Sequence, residues 1–267
     1  VHSHAPSGTG SSPPASGWTD TELSVRLRRG AGGAIRVDGV LCSAPVWFRW
    51  DGAVLWLVGS GASPVGEDHV RVTVDVGPGV EVSVRSVAAT VAYAARGDGT
   101  RWDTELRVAE GARVDWRPEP LILTGRAVHA NTTTVHAAVG ADVVVDEVLV
   151  LGRAGEATGT VRSTLDVRVG AEPVLLTSID TSVPGWDGPA GVLGARAIGS
   201  RLVVGRGPSA LPPSTEPWRG DASGSPGPLG TVLDAGDGCR LAVAATADAP
   251  AARDALDALA PEAATRT

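Results

Sequence analysis

Residues 66–93 read GEDHVRVTVDVGPGVEVSVRSVAATVAY, and this stretch decides the fold. Val70, Val72, Val74 and Val76 alternate strictly with other residues, Gly77-Pro78-Gly79 breaks the run, and the alternation resumes at Val80, Val82 and Val84. Period-two alternation puts the valines on one face, so the stretch predicts two half-buried strands joined by a tight turn. Glycine supplies the positive φ such a turn needs, and β-branched valine fits a pleated surface.

The unit recurs. Gly111 lies between runs at 106–108 and 114–116, Gly140 between 133–139 and 143–151, and Gly170 between 165–169 and 174–179. The four turn glycines, Gly77, Gly111, Gly140 and Gly170, are 34, 29 and 30 residues apart. A near-constant period of this size predicts stacked strand–turn–strand repeats over about 66–181 that bury one continuous core. The fold expected is therefore mainly β, a β-helix-like stack with one C-terminal helix. Val72, Val74, Val82, Val84, Val114, Val143 and Val145 belong to its core.

Composition narrows the function. The chain has 267 residues, enough for one large β domain or two small ones, and its 23 basic residues are all Arg. That bias, with no Lys and no Met, points to a GC-rich genome in which Val1 stands for a GTG start. A net charge of −7 argues against nucleic acid, whose phosphates need a basic patch. Cys42 and Cys239 are too few and too far apart for a disulfide framework and read as thiols. No 18-residue apolar run exists to span a membrane, and no basic-then-apolar leader opens the sequence. The expected compartment is the cytoplasm.

Residues 1–18 are rich in Ser, Pro and Gly and read as a disordered tail; His2 and His4 with a terminal amine would otherwise catch a divalent metal. A single β-helix-like domain is expected over 19–247. Asp51-Gly52 marks a hairpin between 46–50 and 53–58, with Trp47, Trp50 and Trp56 packing the first layer. The Gly/Ser/Pro loop 59–68 is followed by neither Lys nor a helical pattern, so it is no P-loop. Residues 86–95 suit a buried short helix or a strand end. Strands are expected at 192–198, 201–204, 230–233 and 240–245. The long Pro/Gly/Ser loop 207–228 carries Trp218, the one residue there suited to anchor a partner. Asp248 caps a helix within 248–267, with Pro250 in its first turn and Leu256 and Leu259 on one face.

Catalytic signatures are missing: there is no Gly-x-Ser-x-Gly elbow, and neither cysteine has a nucleophile context. His129 and His136 are seven apart, so a regular strand points them to opposite faces and they make a poor metal pair. Asp146-Glu147 interrupts the apolar run 143–151. Two readings stand: one acid faces inward and needs a partner, water or a cation, or Val148 marks a bulge and both acids reach solvent.

Taken in series, several stretches resemble the UreD (UreH-type) family of urease accessory proteins. They are Gly66-Glu67-Asp68, Val76-Gly77-Pro78-Gly79, Ala88-Ala89-Thr90-Val91-Ala92-Tyr93, Gly111-Ala112 through Trp116-Arg117-Pro118, Leu121-Ile122, and Glu147 through Leu151-Gly152-Arg153. Their order and spacing hold over roughly residues 55–181. Four positions depart from the family pattern: Glu67 stands for a Gly, Val91 for a Lys, Asp146 for a Trp, and Leu123-Thr124 follows where the family has Phe. The resemblance implies a β-helix-like fold, no enzymatic activity, and a scaffold between apo-urease and two partners, the helical protein UreF and the nickel-carrying GTPase UreG. It also implies that nickel passes through the subunit without a tightly bound cofactor. Asp68 and Glu147, with the Thr90 hydroxyl, are the residues expected along that route, against loop capping for Asp68 and a core network for Glu147.

Two other classes compete. Clustered acids on a β-solenoid would also suit a carbohydrate-binding or carbohydrate-cleaving protein, which calls for a leader, an exposed aromatic platform and paired catalytic carboxylates. A repeat protein with no site is the third.

Overall fold

The computed structural model describes residues 20–188, 191–205, 218–219, 229–236 and 238–260. The expected tail at 1–18 and most of the loop 207–228 lie outside the described residues. Strands β1 (Asp20–Arg29) and β2 (Ile35–Cys42) form one antiparallel pair, and β3 (Val46–Trp50) and β4 (Val54–Gly59) form another around Asp51-Gly52. Winding then begins. One coil carries β5 (His69–Val76), β6 (Glu81–Ser86) and β7 (Thr90–Ala92); the next carries β8 (Thr100–Val108), β9 (Arg113–Arg117) and β10 (Leu121–Leu123). The third carries β11 (Val128–Ala137) and β12 (Asp142–Leu151), and β13 (Thr160–Val169) with β14 (Glu172–Asp180) ends the series. Strands β15 (Ala197–Val204), β16 (Trp218–Arg219), β17 (Leu229–Gly236) and β18 (Cys239–Thr246) follow, then helix α1 (Ala249–Leu259).

The architecture is a β-solenoid of about four turns. Strands β1, β5, β8, β11 and β13 pair in parallel in one sheet, and β4, β6, β9 and β12 pair in parallel in the other. A short third ladder joins β7, β10 and the end of β12. The two strands of a repeat are thus not each other's partners: the glycine turn carries the chain from one sheet to the other. Both valine faces meet between the sheets. All seven valines expected in the core are there, none more than 1% exposed. At about 1.5–3 kcal/mol for each fully buried side chain of this size, the shared interior is what holds the coils together.

Several expectations need correction. The residue with positive φ in the first turn is Gly79 (φ +64), not Gly77. Gly77 is required for space, since a Cβ there would meet Arg28 Cδ at 2.7 Å. The fourth repeat does not cross between sheets; β13 and β14 form an antiparallel hairpin. Val174, Leu175 and Leu176 run together instead of alternating, so β14 has no single inward face to place against the second sheet, and β15 occupies that position beside β12. The strands expected at 192–198 and 201–204 are one strand, β15. Of the two readings of 86–95, the strand holds, at Thr90–Ala92. Trp47, expected to pack the first layer, is exposed, its indole N–H donating to Ser60 Oγ at 2.9 Å.

Helix α1 begins as its sequence implies. Asp248 accepts from the Ala251 amide at 2.9 Å, and proline occupies the first turn, where no amide is needed. Its buried face, Ala252, Ala255, Leu256 and Leu259, covers the outside of the second sheet at Val144, Val203, Ala242 and Ala244.

Candidate functional site

The interior is not uniformly apolar. Followed along β11, the inward positions read His129, Asn131, Thr133, Val135 and Ala137; along β8 they read Thr100, Trp102, Thr104, Leu106 and Val108. On the facing β12 they read Val143, Val145, Glu147, Leu149 and Leu151. The half of the solenoid next to the glycine turns is therefore hydrocarbon, while the other half carries hydroxyl, amide, imidazole and carboxyl groups. A cavity of about 300 Å³ opens at that polar half. His129, Asn131 and Thr133 line it from one sheet, Glu147 and Trp116 from the other, and Thr90 from the short ladder.

Glu147 thus faces inward, and Asp146 faces the other way. β12 pairs with β15 without a register break from Val143 to Val150, so no bulge occurs at Val148 and the reading in which both acids reach solvent fails. The Glu147 carboxyl accepts from the Thr133 hydroxyl and, at 3.5 Å, from the Asn131 amide, which also donates to Ser163 Oγ at 3.1 Å. Burial raises the Glu147 pKa, opposed by the bonds from Thr133, Asn131 and Ser163. Among the described residues no cation pairs with it.

His129 stands two positions along the same face. It is 3% exposed, with Nδ1 2.8 Å from Thr100 Oγ1. That hydroxyl also reaches the Val128 carbonyl at 3.5 Å, and a carbonyl only accepts. Which of Thr100 and Nδ1 supplies the proton at 2.8 Å depends on the ring tautomer. Nε2 has no partner. Burial lowers the imidazole pKa from 6.5 to about 4, so the ring is neutral near pH 7. A buried polar atom without a hydrogen bond ordinarily costs about 1–3 kcal/mol.

Asp146 lies beneath α1. Its carboxylate is held side-on by Arg201, which also donates to the Ala260 carbonyl at 3.0 Å and pairs with Asp257 at 2.9 Å. The acid that replaces the family's indole thus belongs to the fastening of the helix and lies apart from the cavity.

The expected site residues divide. Thr90 and Glu147 line one cavity. Asp68 does not: its carboxylate accepts from Ser63 Oγ at 3.1 Å and the Val65 amide at 3.0 Å, closing a turn, while Ser63 itself lines the cavity. Trp218 pairs through its backbone with Gly230, and its side chain lies outside what is described. Sequence reading set His129 aside and passed over Asn131, Thr133 and Ser163. Counting backwards in steps of two from Val135 would have placed Thr133, Asn131 and His129 on the inward face.

The comparisons bear on identity. The family model described as UreD urease accessory protein matches residues 23–266. A urease accessory protein UreD of Streptomyces coelicolor is 36% identical over 216 residues, 79% of this chain and 78% of that protein. One of Frankia alni is 35% identical over 234 residues, covering 70% of this chain and 78% of the relative. One of Frankia casuarinae is 40% identical over 173 residues, 60% of this chain but 54% of the relative, so there the chain spans about half the relative's length. Among the described residues no helix is long and apolar enough to cross a membrane. The match over nearly the whole described solenoid places the chain on the accessory-protein side of the readings its sequence left open. The chain belongs to the UreD urease accessory protein family.

Proposed function

We propose that this protein is a non-enzymatic scaffold of urease maturation, in the cytoplasm, through which Ni²⁺ passes on its way to apo-urease. It acts with a UreF-like helical protein and a UreG-like GTPase, and it holds the ion only in transit. One observation carries the reading: Glu147, an inward carboxyl with no cationic partner among the described residues, lines a cavity between the sheets. An acid placed in an apolar strand is costly unless something offsets it, and a passing cation does so. Oxygen donors and water hold Ni²⁺ loosely enough for release. Thr90 contributes a hydroxyl to the same space, and Asp68 shapes the turn beside Ser63 at its wall.

The test replaces Glu147 by Ala and, separately, Asp68 by Ala in the full accessory complex. Complex recovery and the nickel content of urease are measured for each. Assembly that stays intact while nickel content falls supports transit, with the larger fall for Glu147. Intact assembly with full nickel loading in Glu147→Ala overturns it.

A further inference from the structure

The polar half of the cavity also brings two indoles up to a carboxyl. Trp102 lines it from β8, and Trp116 lines it from β9 in the facing sheet. Strand register fixes how near both stand to Glu147. Trp102 pairs directly with Asn131, whose amide reaches the Glu147 carboxyl at 3.5 Å. Trp116 pairs with Val145, one inward step before Glu147 on β12. The Trp102 indole N–H donates to Thr104 Oγ1 at 3.2 Å, which ties that ring to its wall. Thr133 and Asn131 both donate to Oε1 of Glu147. The other oxygen takes at most the Ser163 hydroxyl among the described residues, so acceptor capacity is left over. His129 Nε2, buried on the same wall, is a further polar atom that meets no partner among the described residues.

We propose that this cavity binds a small primary alkylammonium, its charged head on the Glu147 carboxylate and its first methylenes against the indoles of Trp102 and Trp116. The proposal is independent of nickel transit and stands whether or not an ion takes the same path. Each part of the wall selects one property of the ligand. The carboxylate selects positive charge, since a hydrogen bond between ionised partners is about twice as strong as a neutral one. The indoles select an organic cation, because the methylenes beside an ammonium share its charge and pack on an aromatic face without a hydration shell. The hydroxyls of Thr90 and Thr133 select a head that can donate, which a quaternary ammonium cannot. A volume of about 300 Å³ lies at the lower end of the range for small-molecule sites. Exposed Val87 and Tyr93 stand in its wall, so a solute reaches it from outside.

The test titrates the accessory complex, with its partner proteins alone as the blank, and reads binding by ligand-observed NMR. The probes are n-butylammonium, tetramethylammonium and n-butanol, which have equal numbers of heavy atoms and differ in charge and donors. n-Butylammonium is expected to bind about tenfold tighter than n-butanol, and Glu147→Gln to abolish that preference. Tetramethylammonium is expected to bind more weakly than n-butylammonium. Trp102→Leu is expected to weaken n-butylammonium about fivefold. No binding of n-butylammonium, or binding no tighter than that of n-butanol, overturns the proposal. So does n-butylammonium affinity that is unchanged in Glu147→Gln, or equal affinity for tetramethylammonium. Should either variant fail to fold, Overhauser contacts in the parent decide. Contacts between the butyl methylenes and the indole protons of Trp102 and Trp116 support the site, and contacts confined to other residues overturn it.

Discussion

The Arg201 guanidinium meets the Asp146 carboxylate side-on, Nε and Nη2 each 2.7 Å from one oxygen, beneath the C-terminal helix. Both side chains are nearly closed to solvent, and the same guanidinium reaches the helix's last carbonyls. A fork–fork pair of this kind is strong once formed and expensive to break. Asp146→Ala leaves Arg201 facing the helix with half its partners gone. It should destabilise the protein by about 3–5 kcal/mol. A paired Asp146→Leu, Arg201→Met change should recover most of that loss, because the cost is chiefly that of a buried charge stripped of its bidentate partner. Chemical denaturation of the three variants checks this; equal losses in the single and double variants would show that the pair itself, not the orphaned charge, holds α1.

Two glycines separate backbone strain from close packing. Gly111 sits at φ +66 with open space where a Cβ would go, and Gly99 at φ +91 with the Val128 carbonyl oxygen 2.3 Å from that point. Gly111→Ala should cost about 1 kcal/mol, the conformational penalty alone. Gly99→Ala pushes two neighbouring rungs of the solenoid apart and should cost several times more. Gly111→Val, bulkier and β-branched, should fall at about 1–3 kcal/mol. A fluorescence-monitored melt of each variant ranks them, and a Gly99→Ala as mild as Gly111→Ala would mean that the β8–β11 rung relaxes freely.

Legibility followed periodicity. The valine faces of β5, β6, β9 and β12 could be named residue by residue because alternation fixes the inward set once its phase is known. The partner of each strand could not be, since a glycine turn between alternating runs suits a hairpin and a sheet-to-sheet corner equally well. The cavity was half legible. Glu147 stood out because it interrupts hydrocarbon, but Thr133, Asn131 and His129 sit in the run HANTTT at 129–134, where a hydrophobic pattern gives no phase. Asp146 needed Arg201, 55 residues away, and only the β12–β15 pairing brings the two together.

Partners should show in the protein's behaviour. Val87 and Tyr93 at the cavity wall are exposed, as are Val40 and Leu41 on β2 and Leu176 on β14. The proposed partnership requires that some of these side chains meet other proteins. Expressed alone the protein should be poorly soluble or self-associated, and co-expression with a UreF-like helical protein should raise its soluble yield. Light scattering with and without that protein reads the effect. A monodisperse monomer that ignores it in pull-down would count against the proposed partnership.

The cavity pair should also leave opposite marks on stability as pH changes. His129 has its pKa lowered by burial from 6.5 to about 4. The unfolded chain therefore takes up a proton near pH 6.5 that the folded chain refuses until about pH 4. Stability from this residue is whole above 6.5 and falls as pH drops towards 4, by about 3 kcal/mol at about 1.4 kcal/mol per unit. Glu147 runs the other way. Its pKa is raised by burial, so its neutral form suits the fold, and stability is whole below its ordinary value of 4.5 and is lost as pH rises through the folded value. His129→Gln should therefore flatten the acid limb of the stability curve between pH 6.5 and 4, and Glu147→Gln should remove the loss that sets in above pH 4.5. Urea denaturation at a series of pH values measures both. An acid limb as steep in His129→Gln as in the parent would place the proton uptake elsewhere.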